Sequence, residues 1–228
     1  MKLAICLAGG GVKGAAHIGV LKAIEEANIK YDYISGTSSG SIVASLIAMG
    51  YKSDEIYELF KKYCKKIKHI DFKNVAKLVI GIVLRRSLII DGLNSGEQIE
   101  KIINEAASKK GIYNINQIKV NLFIPSVELN TGMLYMFSSM KKRGIYSDEI
   151  KYVDDISIAK AVRASCSYPG IFSPYKYENY ELIDGGIREN IPWRETKASG
   201  ADKVFCIKFE NKKKTKCRKN IVDVLVGS

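Results

Sequence analysis

The chain has 228 residues, 46% of them hydrophobic, and a formal net charge of +12, which suits one globular domain with at most a small cap. That charge favours anionic partners, but zinc-finger spacing, an aromatic RNP-type strand and an arginine-rich tail are all missing, so no nucleic acid is expected as a partner. The five cysteines, Cys6, Cys64, Cys166, Cys206 and Cys217, include no Cys-x-x-Cys pair, which excludes a disulfide framework and a zinc site as the natural readings and favours a reducing compartment.

The apolar run Leu3–Ala8 reads as a first buried strand; it is too short for a signal peptide and leads directly into glycines. Ala15–Ala27 follows with Ile18, Leu21 and Ile24 at helical spacing. Tyr31–Ser35 and Ser41–Met49 repeat the strand-turn-helix unit, and two such units in succession predict a parallel sheet. Ser53–Arg86 changes character: Lys61, Lys62, Lys65, Lys66 and Lys68 precede the apolar run Val75–Leu84, and Arg85-Arg86 close it. Residues 53–90 are expected as a cap or membrane-interface segment within a single domain spanning 1–228. Lys77 interrupts the apolar run, which is far below the roughly 20 residues that cross a bilayer, so no transmembrane helix is predicted.

Further along, Ser95–Ala107 has a helical face (Ile99, Ile102, Ile103), and Val120–Val127 is β-branched and aromatic. Leu134–Ser138 is its partner strand across the turn Asn130-Thr131-Gly132. Ile158–Ala164 reads as a short helix, Glu181–Ile183 as a strand and Lys203–Phe209 as a late buried strand. The tail Asn211–Asn220 is charged, and the apolar Ile221–Val226 stops at Ser228, which suggests a C-terminus that continues in the native chain.

Three short segments carry chemistry. Gly36-Thr37-Ser38-Ser39-Gly40 lies between a strand and a helix, the setting in which Gly-x-Ser-x-Gly projects a serine, here Ser38, from a sharp turn; Gly36 and Gly40 permit the close packing. Gly9-Gly10-Gly11-Val12-Lys13-Gly14 follows the first strand and offers backbone amides for a developing oxyanion. The same segment also satisfies Gly-x-Gly-x-x-Gly through Gly9, Gly11 and Gly14, with Asp32 further on. A dinucleotide-binding acid should end the second strand, however, whereas Asp32 begins it. A phosphate P-loop would require Lys-Ser or Lys-Thr after Gly14, which is not there. Asp184-Gly185-Gly186 ends a strand and supplies an acid. The only histidines, His17 and His69, both precede Ser38 or lie soon after it, and none follows position 69; a triad in hydrolase order has no third member, and a Ser38–Asp184 dyad is the natural reading. His17 is expected to pack or cap locally, His69 to face solvent, and Cys166 to be a small core residue or to line the site.

With those three ordered motifs, the sequence resembles the bacterial branch of the patatin-like phospholipase family. Glu128–Gly132 and Arg163–Phe172 look like that family's linking segments, so the similarity spans nearly the whole chain. The resemblance implies a three-layer α/β/α sandwich with a mainly parallel central sheet. It also implies a serine lipid acyl hydrolase of phospholipase A or lysophospholipase type that needs no metal, calcium or cofactor. In it Ser38 would be the nucleophile and Asp184 the base. Gly9, Gly10, Gly11, Lys13 and Gly14 would bind oxyanion and substrate, while Gly36, Gly40, Gly185 and Gly186 would support the motifs. Lys13 stands where many relatives have arginine, which keeps the charge but loses the fork geometry. The implied partners are membrane phospholipid or lysophospholipid and an anionic membrane surface, and the implied location is cytoplasmic or peripheral to the membrane. Oligomeric state is not legible. A transacylase would use the same residues, and an inactive lipid-binding module is the reading from a different class.

Overall fold

The Leu3–Leu7 run forms strand β1, and its apolar composition on both faces is what a strand covered on both sides requires. In the computed structural model, which describes residues 1–66, 95–141, 144–147 and 149–210, β1 pairs in parallel with β2 (Tyr33–Gly36) and, on its other edge, with β9 (Lys203–Ile207). β2 is in turn parallel to β3 (Asn121–Glu128). This β9-β1-β2-β3 block is the parallel centre that the two strand-turn-helix units predict. Beyond it, β4 (Leu134–Ser138) runs antiparallel to β3, β6 (Ile150–Val153) parallel to β4, and β5 (Gly144–Ser147) antiparallel to β6.

One feature of the sheet positions the site. β4 occupies one edge of β3, along Phe123–Val127. The other edge is shared: β2 takes its first half, Asn121–Phe123, and β8 (Tyr180–Asp184), running the opposite way, takes Ser126–Glu128. β2 and β8 thus meet end to end along β3, one finishing at Gly36 and the other at Asp184. Head-on strands sharing one partner's edge bring the two chain ends together. β7 (Tyr175–Tyr177) is the outer partner of β8.

Strand alternation divides the core in two. Ile5, Leu7, Ile34, Leu122 and Ile124 face the larger cluster. It is covered by α1 (Ala16–Glu26), α2 (Ser39–Ala48), α3 (Ser53–Lys66), α4 (Glu97–Lys109) and α5 (Ile158–Ser165). Ala4, Tyr33, Phe123 and Met136 face the smaller cluster, where the short helix α6 (Trp193–Ala198) packs and the Tyr33 hydroxyl donates to the Ser199 carbonyl at 3.2 Å. The architecture is three-layered with unequal outer layers.

The Asn130-Thr131-Gly132 turn is a β3–β4 hairpin held by a buried glutamate. Asn130 and Thr131 each donate a backbone and a side-chain hydrogen bond to Glu128. Burial opposes ionisation of Glu128, but these four donors outweigh it and hold its carboxyl below the usual range.

α3 begins the segment expected as a cap, and its Ile56 is fully buried in the larger cluster. Lys68, His69, Val75–Leu84, Arg85, Arg86 and the tail from Asn211 lie outside the described residues. The late strand differs from expectation: β9 is an edge strand paired only with β1 among the described residues, and Phe205 is exposed rather than buried. Among the described residues, no helix is long and apolar enough to cross a membrane, and no cluster of His, Cys, Asp or Glu could hold a metal ion.

Candidate active site

Strand β2 stops at Gly36 and helix α2 starts at Ser39, which leaves Thr37 and Ser38 to reverse the chain. Ser38 adopts φ 52° and ψ −124°, a conformation that costs an L-residue of order 1–3 kcal/mol and persists only where its surroundings enforce it. The enforcing bonds are specific. The Ser38 amide donates to Ser165 Oγ at 3.0 Å, Ser41 Oγ donates to the Ser38 carbonyl at 2.6 Å, and Thr37 Oγ1 donates to the Glu189 carbonyl at 2.9 Å. α2 starts immediately after Ser38, so the positive end of its dipole faces any charge that develops there, although the amides of Gly40 and Ser41 already donate to the Thr37 and Ser38 carbonyls at 2.8 Å.

The glycine segment packs on this elbow. A Cβ on Gly14 would lie 2.5 Å from Ser39 Oγ, and one on Gly9 would lie 3.2 Å from Ser38 Cβ. Two of its amides are already committed: Gly9 donates to the Asn190 carbonyl at 3.2 Å and Gly10 to Ser39 Oγ at 3.1 Å. The segment then closes into a 3-10 turn, Gly11–Ala15, whose first internal bond runs from the Lys13 amide to the Gly10 carbonyl. The amides of Gly11 and Val12 precede that bond. In this structure the Gly10 N–H, one of the expected oxyanion donors, bonds within the site to Ser39 Oγ. Lys13 is exposed beside the turn.

His17 is fully buried, with Nε2 donating to the Ala8 carbonyl at 2.8 Å and its ring packed against Phe209. Burial lowers its pKa, so it stays neutral and fixes the start of the glycine loop, the local packing role expected of it.

Asp184 is 1% exposed at the end of β8. Its Oδ1 accepts the Gly186 amide at 2.7 Å, and its amide donates to the Ser167 carbonyl at 3.0 Å. Oδ2 is buried without a hydrogen-bond partner. Burial pushes the carboxyl up to about 6, against the opposing pull of the Ser38 hydroxyl and the Gly186 amide. The serine is thus near enough to favour the charged acid, while one acid oxygen keeps a free lone pair for it. Cys166 lies beside Ser41, with Sγ 3.9 Å from its hydroxyl. Burial, then the nearby Asp184, pushes this thiol up to about 12, so it is a neutral lining group and no competing nucleophile.

The C-terminal end of α5 serves both partners, since Ser165 holds the Ser38 amide and Ser167 the Asp184 amide. Arg163 braces this end: it is buried, donates to Ser167 Oγ at 2.5 Å, to the Ser173 carbonyl at 2.8 Å and through Nε to the Ser95 carbonyl at 2.9 Å. Arg163→Met leaves those acceptors unpaired and is expected to lower stability by about 2–4 kcal/mol, read as a reduced urea midpoint at unchanged slope.

With this geometry in place, comparison with known proteins assigns the family. Residues 5–197 match the model of the patatin-like phospholipase family. The chain belongs to that family. Over 193 residues it is 32% identical to the uncharacterised protein YqhO of Bacillus subtilis, aligning 81% of this chain with 63% of that one. It is 27% identical over 203 residues to the lysophospholipase NTE1 of Lodderomyces elongisporus, aligning 89% of this chain with 12% of that one. The chain thus spans less than two thirds of either relative. In fold it is similar to VipD from Legionella pneumophila, with a TM-score of 0.57 at 18% identity, covering 92% of this chain and 51% of that one.

The fold brings every expected motif of this patatin-like chain to one place. Ser38, Asp184, Gly9 and Gly186 surround a common point, and Asn190 joins them: a Cβ on Gly9 or on Gly186 would lie 2.7 or 3.3 Å from its Oδ1. Asn190, Ser165 and Ser167 are the site residues that motif reasoning misses. Asn190-Ile191-Pro192 reads only as a turn, and the two serines act through backbone partners far away in sequence.

Proposed function

We propose that this protein is a serine lipid acyl hydrolase that cleaves fatty-acyl esters of phospholipid or lysophospholipid with a Ser38–Asp184 dyad. The observation that carries this reading is the buried, unpartnered Oδ2 of Asp184 beside a serine on a strained elbow. Family membership and the relative named lysophospholipase support the lipid class.

In the first half-reaction Asp184 accepts the Ser38 proton while Oγ attacks the ester carbonyl. The carbonyl oxygen becomes an anion facing the amides of Gly11 and Val12, with the N-terminal end of α2 adding its field. Collapse expels the alcohol, which takes the proton back from Asp184. A water then repeats the cycle: it gives its proton to Asp184, attacks the acyl-serine ester and releases the fatty acid, and Ser38 recovers its proton. The substrate is drawn from a membrane surface, and a net charge of +12 favours an anionic one.

The base must be ionised to work, and its carboxyl sits near 6. kcat/KM is expected to rise about tenfold per pH unit below that value and to level off above it. A flat profile between pH 4 and pH 8 would remove Asp184 as the base. The direct test is fatty-acid release from lysophosphatidylcholine and from diacyl vesicles, with fluorophosphonate labelling mapped by mass spectrometry. Release together with a label on Ser38 supports the reading; release with the label on another residue, or no release from any acyl ester, refutes it.

A further inference from the structure

Three loops converge on Ser38, and each is tied to the site by bonds described above. The glycine loop is tied through Gly9 and Gly10, the turn after β8 through Asp184 and Gly186, and the segment after α5 through Ser165 and Ser167. Each loop also presents one branched apolar side chain to solvent within four residues of its tie. Val12 is 94% exposed, Ile187 52% and Ile171 44%. None of the three belongs to either core cluster.

A lone exposed aliphatic residue is ordinary on a soluble protein. Three of them, one per loop around a single serine, are not accounted for by folding, because water-exposed Val and Ile gain nothing there. Lys13 follows Val12 and Arg188 follows Ile187, so basic residues adjoin two of the three apolar positions. Arg188 is held in place by donating to the Gly132 carbonyl at 2.7 Å and pairing with Glu149. Apolar side chains with basic neighbours, on a chain of net charge +12, match the chemistry of an anionic lipid leaflet: aliphatic groups enter the acyl boundary and cations meet the head groups.

We propose that Val12, Ile171 and Ile187 form a rim that seats the protein on an anionic phospholipid surface with Ser38 at its centre. An ester at the interface then reaches Ser38 without its acyl chain crossing bulk water. The inference rests on the lipid hydrolase reading for its purpose but not for its test.

The experiment is co-sedimentation with phosphatidylcholine vesicles, with and without phosphatidylserine, using Ser38→Ala protein so that the vesicles persist. Adding Ile171→Asp and Ile187→Asp is expected to weaken sedimentation with the anionic vesicles by at least about tenfold. In the Ser38 protein the same pair should leave hydrolysis of water-soluble p-nitrophenyl butyrate within about twofold, since surface changes of this kind barely alter stability. Ile187→Trp supplies an arm that does not depend on loss: it should sediment more tightly, with emission shifted to the blue on vesicle addition. Sedimentation unaffected by the aspartates, an Ile187→Trp protein that binds no better, or no binding to anionic vesicles by the parent would each overturn the rim. Rim-dependent sedimentation by a protein that hydrolyses no ester would uphold the surface and refute the hydrolase reading; hydrolysis without sedimentation would do the reverse.

Discussion

Ser38→Ala is expected to lower fatty-acid release by at least about ten-thousand-fold, the scale on which removing a nucleophile acts in serine hydrolases. Fluorophosphonate labelling should vanish with it, measured in the same samples. Asp184→Asn should fall by a similar factor, because an amide of the same shape keeps the Gly186 bond yet cannot accept a proton from serine. The double variant should be hardly slower than either single one, because two groups that transfer one proton between them act as a unit. Additive losses would mean that the two residues serve separate steps.

Asp184→Asn also makes a stability prediction of opposite sign. The folded carboxyl sits at about 6 against an ordinary value of 3.8, so the native state binds the proton more tightly than the unfolded chain does. Stability from that proton is complete below about pH 4 and is lost as pH rises through 6. At pH 8 the ionised, buried acid costs up to about 3 kcal/mol. The inactive asparagine protein should therefore melt higher than wild type at pH 8, and the gap should close toward pH 4. A lower melting temperature at pH 8 would show that the carboxylate holds the site together rather than straining it.

Gly36→Ala is the second large effect. A Cβ there would lie 2.5 Å from the Gly40 carbonyl carbon and 2.8 Å from the Ser41 amide nitrogen. Backbone stands in the way on both counts, so no side chain can turn aside, and the elbow itself must open. Expected losses are about 3 kcal/mol of stability and, because Ser38 moves with the elbow, roughly a hundredfold in rate. The contrasting substitution is Gly19→Ala on the exposed face of α1, where an added Cβ meets nothing within 4 Å. That change should stabilise the protein by about 0.5–1 kcal/mol, through helix propensity alone. Thermal melts and hydrolysis rates of the two proteins, taken side by side, separate a glycine needed for close approach from one that is not.

Much of this arrangement is local and therefore legible in the chain. Leu3–Leu7 is apolar on both faces because both faces are covered. Ile18, Leu21 and Ile24 mark the buried side of α1, and glycines at 36 and 40 mark the elbow that carries Ser38. Periodicity and turn chemistry depend on neighbours a few residues away, and so do the ends of β4 and the extent of β8.

The rest depends on residues that meet only in the folded molecule. No local pattern says that β2 and β8 will meet along one edge of β3, yet that encounter sets Asp184 against Ser38. The bonding of the Gly9 and Gly10 amides to Asn190 and Ser39 follows from how the loops pack. β9 reads as buried from its composition, but burial is a property of the sheet position, and an edge has one neighbour. The sequence by itself determined the elements, the motifs and the family resemblance, because short-range sterics and apolar spacing encode them. The tertiary structure alone decided which oxygen of Asp184 is free and how far burial raises its pKa, because each of these is a sum over atoms far apart in the chain.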